Sequence, residues 1–144
     1  MRIAIASDHA GFELKEHVKS QLQDAGHDVV DVGTDSDEST DYPSYARPAA
    51  QLVAEGDAER GVLVCGSGVG VSIVANKVPG VRAVNAHDPE EAQLARAHND
   101  VNVVTLSGKR IDAEAADQIV QAFLEGEFEG GRHARRVELI EEGG

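Results

Sequence analysis

GVLVCGSGVG, residues 61–70, decides how the rest of the chain reads. Gly61 to Cys65 is an apolar run of strand length. Glycines at 66, 68 and 70 break it before a second apolar stretch, 69–76, long enough for a helix. The alternation continues in both directions. Upstream, RIAIAS (2–7) is a strand, Phe12, Leu14, Val18 and Leu22 recur at roughly helical spacing until Gly26, and DVVDV (28–32) is a second strand. Residues 33–41 are a polar, acidic loop, after which Pro43 opens a helix through Ala46, Ala49, Ala50 and Val53. Downstream, VRAVN (81–85) and VNVVTL (101–106) are strands flanking a helix over 89–97. Asp112 caps another helix to about Leu124, one more is expected from Gly131, and residues 141–144 read as a fraying end.

Strands separated by helix-length segments imply right-handed crossovers and a parallel sheet. The prediction is one domain over 1–144: a Rossmann-like, three-layer α/β sandwich with a five-stranded parallel sheet and a C-terminal helical tail from about residue 131. Ligands of such sheets bind at the carboxyl ends of the strands. That selects residues 7–11, 65–70, 85–88 and 107–110.

Composition narrows the partners. With 26 acids against 13 bases the net charge is −13, a field that repels nucleic-acid backbones. Three Phe, two Tyr and no Trp leave little to stack bases on. No window is apolar for long enough to cross a bilayer, and Asp8 interrupts any signal-like run. One cysteine makes no disulfide framework. The expectation is a cytoplasmic protein with no membrane or nucleic-acid partner. Against this acidity, Arg132, Arg135 and Arg136 beside His133 are either a small-anion site or helix arginines paired with Glu138, Glu141 and Glu142.

Several residues could carry chemistry. In the loop Cys65-Gly66-Ser67-Gly68-Val69-Gly70, bare backbone N–H groups and a helix N-terminus could hold an anion and lower the pKa of a thiol at its start. Equally, it could be a tight turn over an inert buried cysteine. It lacks the Gly-Lys-Ser/Thr ending of nucleotide phosphate loops and the spacing of a dinucleotide fingerprint. Asp8 and His9, read as pointing opposite ways along the strand end, could supply an acid, a base or an anion contact, or Asp8 could merely cap the next helix. His98 could be a helix-end residue beside a negative dipole end. No His-x-x-x-His or Cys-x-x-Cys spacing occurs, and no metal or cofactor is expected.

Ser7-Asp8-His9-Ala10-Gly11, Asp41-Tyr42-Pro43, the Cys65–Gly70 loop, Ala75-Asn76-Lys77, Val81-Arg82-Ala83, His98-Asn99 and Gly131-Arg132-His133 with Arg136 together resemble the ribose-5-phosphate isomerase B family. They occur in family order over nearly the whole chain. The resemblance implies interconversion of D-ribose 5-phosphate and D-ribulose 5-phosphate in the pentose phosphate pathway without a metal. It makes Cys65 the base that moves a proton between C2 and C1, with the N–H groups of Gly66, Ser67, Gly68, Val69 and Gly70 stabilising the enediolate. Ser67 stands where the family usually has Thr and would shuttle protons between oxygens. His98 would open the furanose ring with Asp8 assisting, and Asn99 would hold a hydroxyl or oxyanion. His9, Arg132 and Arg136 would clamp the phosphate, and Tyr42 would line the sugar pocket.

The family site lies between two subunits, so the tail is expected to serve a partner. A homodimer is then the least working unit, with pairing into tetramers left open. The family arginine eleven residues after the ring-opening histidine is replaced by Lys109, with Arg110 next to it. A branch without the cysteine carries Glu at the position of Val71, so this chain matches the cysteine branch. Alternatives are an isomerase of another aldose, such as allose or galactose 6-phosphate, a cysteine phosphocarrier, or a nucleotide-sensing module.

Overall fold

The computed structural model describes residues 1–143. Its strands are β1 (Arg2–Ser7), β2 (Asp28–Gly33), β3 (Arg60–Cys65), β4 (Ala83–Asn85) and β5 (Val103–Ser107). Its α-helices are α1 (Phe12–Asp24), α2 (Pro43–Ala54), α3 (Val69–Asn76), α4 (Pro89–Asn99), α5 (Ala113–Glu125) and α6 (Arg132–Glu142). The strands form one all-parallel sheet in the order β2-β1-β3-β5-β4. The fold is the expected α/β sandwich.

Strand alternation sorts the core into two layers. Ile3, Ile5, Val62, Val64, Val104 and Leu106 pack with α1, α4 and α5. Ala4, Ala6, Leu63, Cys65 and Val103 face α2 and α3, where Ala46, Ala49 and Ala50 let α2 approach closely. Beneath the first layer's edge lies a fully buried cation: Lys15 Nζ donates to both oxygens of Asp31 at 2.9 and 3.0 Å and to the Thr34 carbonyl. Lys19 donates to the same carboxylate at 3.0 Å.

Capping is as the residues suggest: Asp88 accepts from Glu91 N–H at 2.8 Å and Asp112 from Ala115 N–H at 2.8 Å. Four sequence readings are corrected. β1 ends at Ser7, and His9–Gly11 is a single 3-10 turn, so Asp8 and His9 do not alternate along a strand. β4 begins at Ala83 because Arg82 N–H is taken by the Asn102 side chain at 2.9 Å. β5 begins at Val103 because Asp100, at φ 48°, and a hydrogen bond from buried Arg96 to the Val101 carbonyl still belong to the end of α4. The tail is helical through Glu142, with Glu141 ion-paired to Arg82; Gly144 lies outside the described residues.

The chain lays down β1, then β2 on one side, and crosses to β3 on the other. The sheet order therefore reverses between β1 and β3, and their carboxyl ends diverge into a crevice. Ser7–Gly11 and Cys65–Gly70 meet there, with Ser7 opposite Val64 in the register.

Candidate active site

A pocket of about 680 Å³ opens at that reversal, walled by Asp8, His9, Tyr42, Cys65, Gly66, Ser67, Val69, Gly70, Lys109 and Arg110, among others. Cys65, the last residue of β3, is buried beneath the glycine loop. The Gly68 N–H donates to its Sγ at 3.2 Å. Gly68 must be glycine: its φ is +78°, and a Cβ would sit 2.3 Å from Asn85 Oδ1. Gly70 lets the Tyr42 ring lie against the loop, 2.6 Å from where a Cβ would be. Val71 is buried in the same core layer as Cys65.

Two loop donors are engaged within the loop itself, Gly68 N–H on Cys65 Sγ and Val69 N–H on Ser67 Oγ at 3.1 Å. Among the described residues the N–H groups of Gly66, Ser67 and Gly70 have no protein acceptor, which leaves them available to a ligand oxygen. Asp8 is buried and caps the 3-10 turn through Gly11 N–H at 3.0 Å. The reading of Asp8 as a cap therefore holds, and the residue also lines the pocket.

His9 is oriented by a residue that sequence reasoning missed. Thr40 N–H donates to His9 Nδ1 at 3.1 Å, while His9 N–H donates to Thr40 Oγ1 at 3.2 Å. Accepting at Nδ1 places the neutral ring's proton on Nε2, so that nitrogen can donate. Also missed were Ser107, whose hydroxyl donates to the Gly66 carbonyl at 2.6 Å, and Asn85, which donates to the Ser67 carbonyl at 3.3 Å. Both stand at strand ends that the sheet rule had selected, and that rule was the signal available. Lys109 and Arg110 both wall the pocket.

The remaining predicted residues lie elsewhere. His98 and Asn99 end α4, and Arg132 and Arg136 lie on α6, which packs on α4. A crossover helix runs antiparallel to its strands, so the end of α4 sits at the edge of the sheet opposite Cys65. His98 stacks on His133 with ring centroids 4.5 Å apart and an interplanar angle of 14°. His133 is held below the ordinary histidine pKa by desolvation first, then by His98, Arg132 and Arg136, with Glu129 opposing. Arg82 ties this end together, donating to the carbonyls of Asn99 and Asp100 and pairing with Glu141.

A family model described as Ribose/Galactose Isomerase matches residues 3–140. The chain belongs to that family. It is 48% identical to ribose-5-phosphate isomerase B of Escherichia coli over 139 residues, 96% of this chain and 93% of that one. A solved ribose 5-phosphate isomerase from Thermotoga maritima superposes with a TM-score of 0.96 at 50% identity, over 98% of this chain and 97% of that one. A second member of the family, ribose-5-phosphate isomerase B from Mycoplasma genitalium solved with bound ribulose 5-phosphate, superposes at 0.94 with 41% identity, over 98% and 94% of the two chains.

Proposed function

We propose that this family member interconverts D-ribose 5-phosphate and D-ribulose 5-phosphate as a cytoplasmic homodimer in the pentose phosphate pathway, with Cys65 as the base. The observation that carries this reading is one pocket holding a thiol, free backbone donors of its glycine loop and three groups able to meet a phosphate: His9, Lys109 and Arg110. The relative that carries ribulose 5-phosphate supports the ligand class.

The steps follow from the donors. His98 of the partner subunit protonates the ring oxygen as Asp8 accepts the proton of the anomeric hydroxyl; the C1 carbonyl forms, the bond from C1 to the ring oxygen breaks, and the sugar opens. The Cys65 thiolate then removes the C2 proton; the electron pair moves toward the C1 carbonyl, and an enediolate forms. N–H groups of Ser67 and Gly70 meet the developing charge, each such donor contributing roughly 3–4 kcal/mol. Ser67 passes a proton between the two oxygens, and Cys65 returns the carbon proton at C1. No step calls for a metal. Arg132 and Arg136 of the partner close on the phosphate in the bidentate geometry that arginine favours, and the partner's Asn99 holds a sugar oxygen.

The shared site rests on topology. Ten of the fourteen predicted residues lie around Cys65, while His98, Asn99, Arg132 and Arg136 lie at the end of α4 and on α6, away from that pocket, which favours a site completed by a second chain. A two-fold axis would join one half from each protomer and build two sites at once. Exposed apolar side chains flank both halves, Val69 and Ile73 at the pocket, Leu139 and Ile140 on α6, as an interface between copies requires. Another aldose phosphate, galactose 6-phosphate among them, is the second reading, favoured by the family description naming galactose beside ribose.

Mixing inactive Cys65→Ala with inactive His98→Ala, after dissociation and reassociation, tests both site and assembly. Random pairing should restore roughly a quarter of wild-type turnover, since half of the dimers then carry one intact site. No recovery would refute the shared site. Absence of ribulose 5-phosphate formation by the wild type would move the search to other aldoses.

A further inference from the structure

Beside the end of α4 three side chains converge without satisfying one another. His98 and His133 present Nε2 to the Glu129 carboxylate at 3.9 and 3.7 Å, too far for hydrogen bonds. The donor atoms of all three lie within 4.8 Å of one another. The backbone is fixed around them: Glu129 N–H donates to the Ala97 carbonyl at 3.0 Å, and His133 N–H to the Gly130 carbonyl at 3.0 Å. His133 is nearly enclosed, while His98 and Glu129 are open enough to swing.

Two imidazole nitrogens and a carboxylate oxygen make a donor set suited to zinc and its neighbours in the first row, with water able to complete the four. Bonds of about 2.0–2.2 Å place tetrahedral donors about 3.4 Å apart, so a small inward swing of His98 and Glu129 closes the set. The stacked rings must splay for their lone pairs to meet. Desolvation already favours neutral His133, the form that ligates. Arg132 and Arg136 oppose a cation here, and the net charge of −13 attracts one to the molecule. The balance suits a reversible site better than a resident ion.

We propose that His98, Glu129 and His133 form a divalent transition-metal site, and that an ion bound there withdraws His98 from ring opening and inhibits the enzyme. The inhibitory half of this rests on the role of His98 given above. A metal-bound imidazole nitrogen has no proton to give the ring oxygen.

Calorimetric titration of the full chain with ZnCl2 should find one ion per protomer, with affinity falling roughly tenfold or more in Glu129→Ala and in His133→Ala. Co²⁺ in place of zinc should give the visible bands of a tetrahedral nitrogen and oxygen site without a thiolate charge-transfer band. Zinc should inhibit wild-type isomerisation reversibly with EDTA, while Glu129→Ala keeps its basal rate and resists inhibition. Equal zinc affinity in wild type and both variants would overturn the site, as would a thiolate band marking Cys65 as the ligand. Inhibition unchanged in Glu129→Ala would overturn the proposed inhibition. Binding needs no substrate: a chain that bound zinc as described but never isomerised ribose 5-phosphate would overturn the functional reading and leave the site standing.

Discussion

The two halves of the candidate site are built differently. The Cys65 half lies where the sheet order reverses, between β1 and β3, and its groups are held by backbone: a glycine loop, a 3-10 turn, and a histidine locked to Thr40. The His98 half is held by side chains, through a ring stack, the Arg82 contacts and an ion pair from the tail. One half is a property of the sheet. The other is a surface that, in the proposed dimer, completes the site of a second chain.

The largest effect should come from the first half. Cys65→Ala should reduce turnover by about 10²–10⁴-fold, the usual contribution of a positioned acid or base, while binding of ribose 5-phosphate measured calorimetrically stays near wild type. Weakened binding with turnover intact would show the halves to be misassigned.

Next comes the foundation under that half. Lys15→Met leaves Asp31 partly buried with Lys19 and the Gly33 N–H to face it and frees the Thr34 carbonyl. Breaking a buried pair costs roughly 3–5 kcal/mol, and because Lys19 remains the lower end is expected in urea unfolding. Residue 34 begins the loop that carries Thr40 to His9, so phosphate affinity should weaken too. A loss below about 1 kcal/mol would mean the His9 side is not braced from beneath.

How much of this was legible follows the same division. The strands themselves and the strand-end rule come from periodicity and glycines, which is why the Cys65 loop, Asp8 and His9 could be located by number, while the order of the strands in the sheet was not read. Boundaries at β4 and β5 were not, because side chains of Asn102 and Arg96 replace ladder hydrogen bonds there. Partnerships across long separations carry no local signal: Lys15 with Asp31, His9 with Thr40, and His98 with His133 are meetings made by tertiary packing. Nor does spacing say that Cys65 and His98 stand at opposite ends of one sheet. That follows only once α4 is known to run back against its strands.

The second half should respond more gently. Arg136 is exposed in the single chain, so removing it leaves the fold alone. Arg136→Ala loses one charged hydrogen bond to phosphate, about 1.5–3 kcal/mol, and should raise KM roughly 10–100-fold with kcat little changed. An unchanged KM would take α6 out of the clamp and weaken the contrast drawn above.

The smallest effect separates the foundation from the chain's general acidity. Burial pushes the Asp31 carboxyl up, but hydrogen bonds from Lys15, Lys19 and the Gly33 N–H outweigh it, and the pKa falls below the ordinary 3.8. A carboxyl lowered by folding stabilises the native state above its unfolded pKa, and that contribution disappears as pH falls through the folded value. Wild-type stability should therefore decline from about pH 5 downward. The background runs the other way over part of this range, because protonating 26 acids on a chain of net charge −13 relieves self-repulsion. Comparison with Asp31→Asn isolates the one group: the variant is less stable at neutral pH, since Lys15 loses its counter-charge, and its acid decline should be shallower. Parallel curves for the two proteins would mean that the Lys15–Asp31 pair does not set the acid response, and that the Cys65 half rests on its backbone alone.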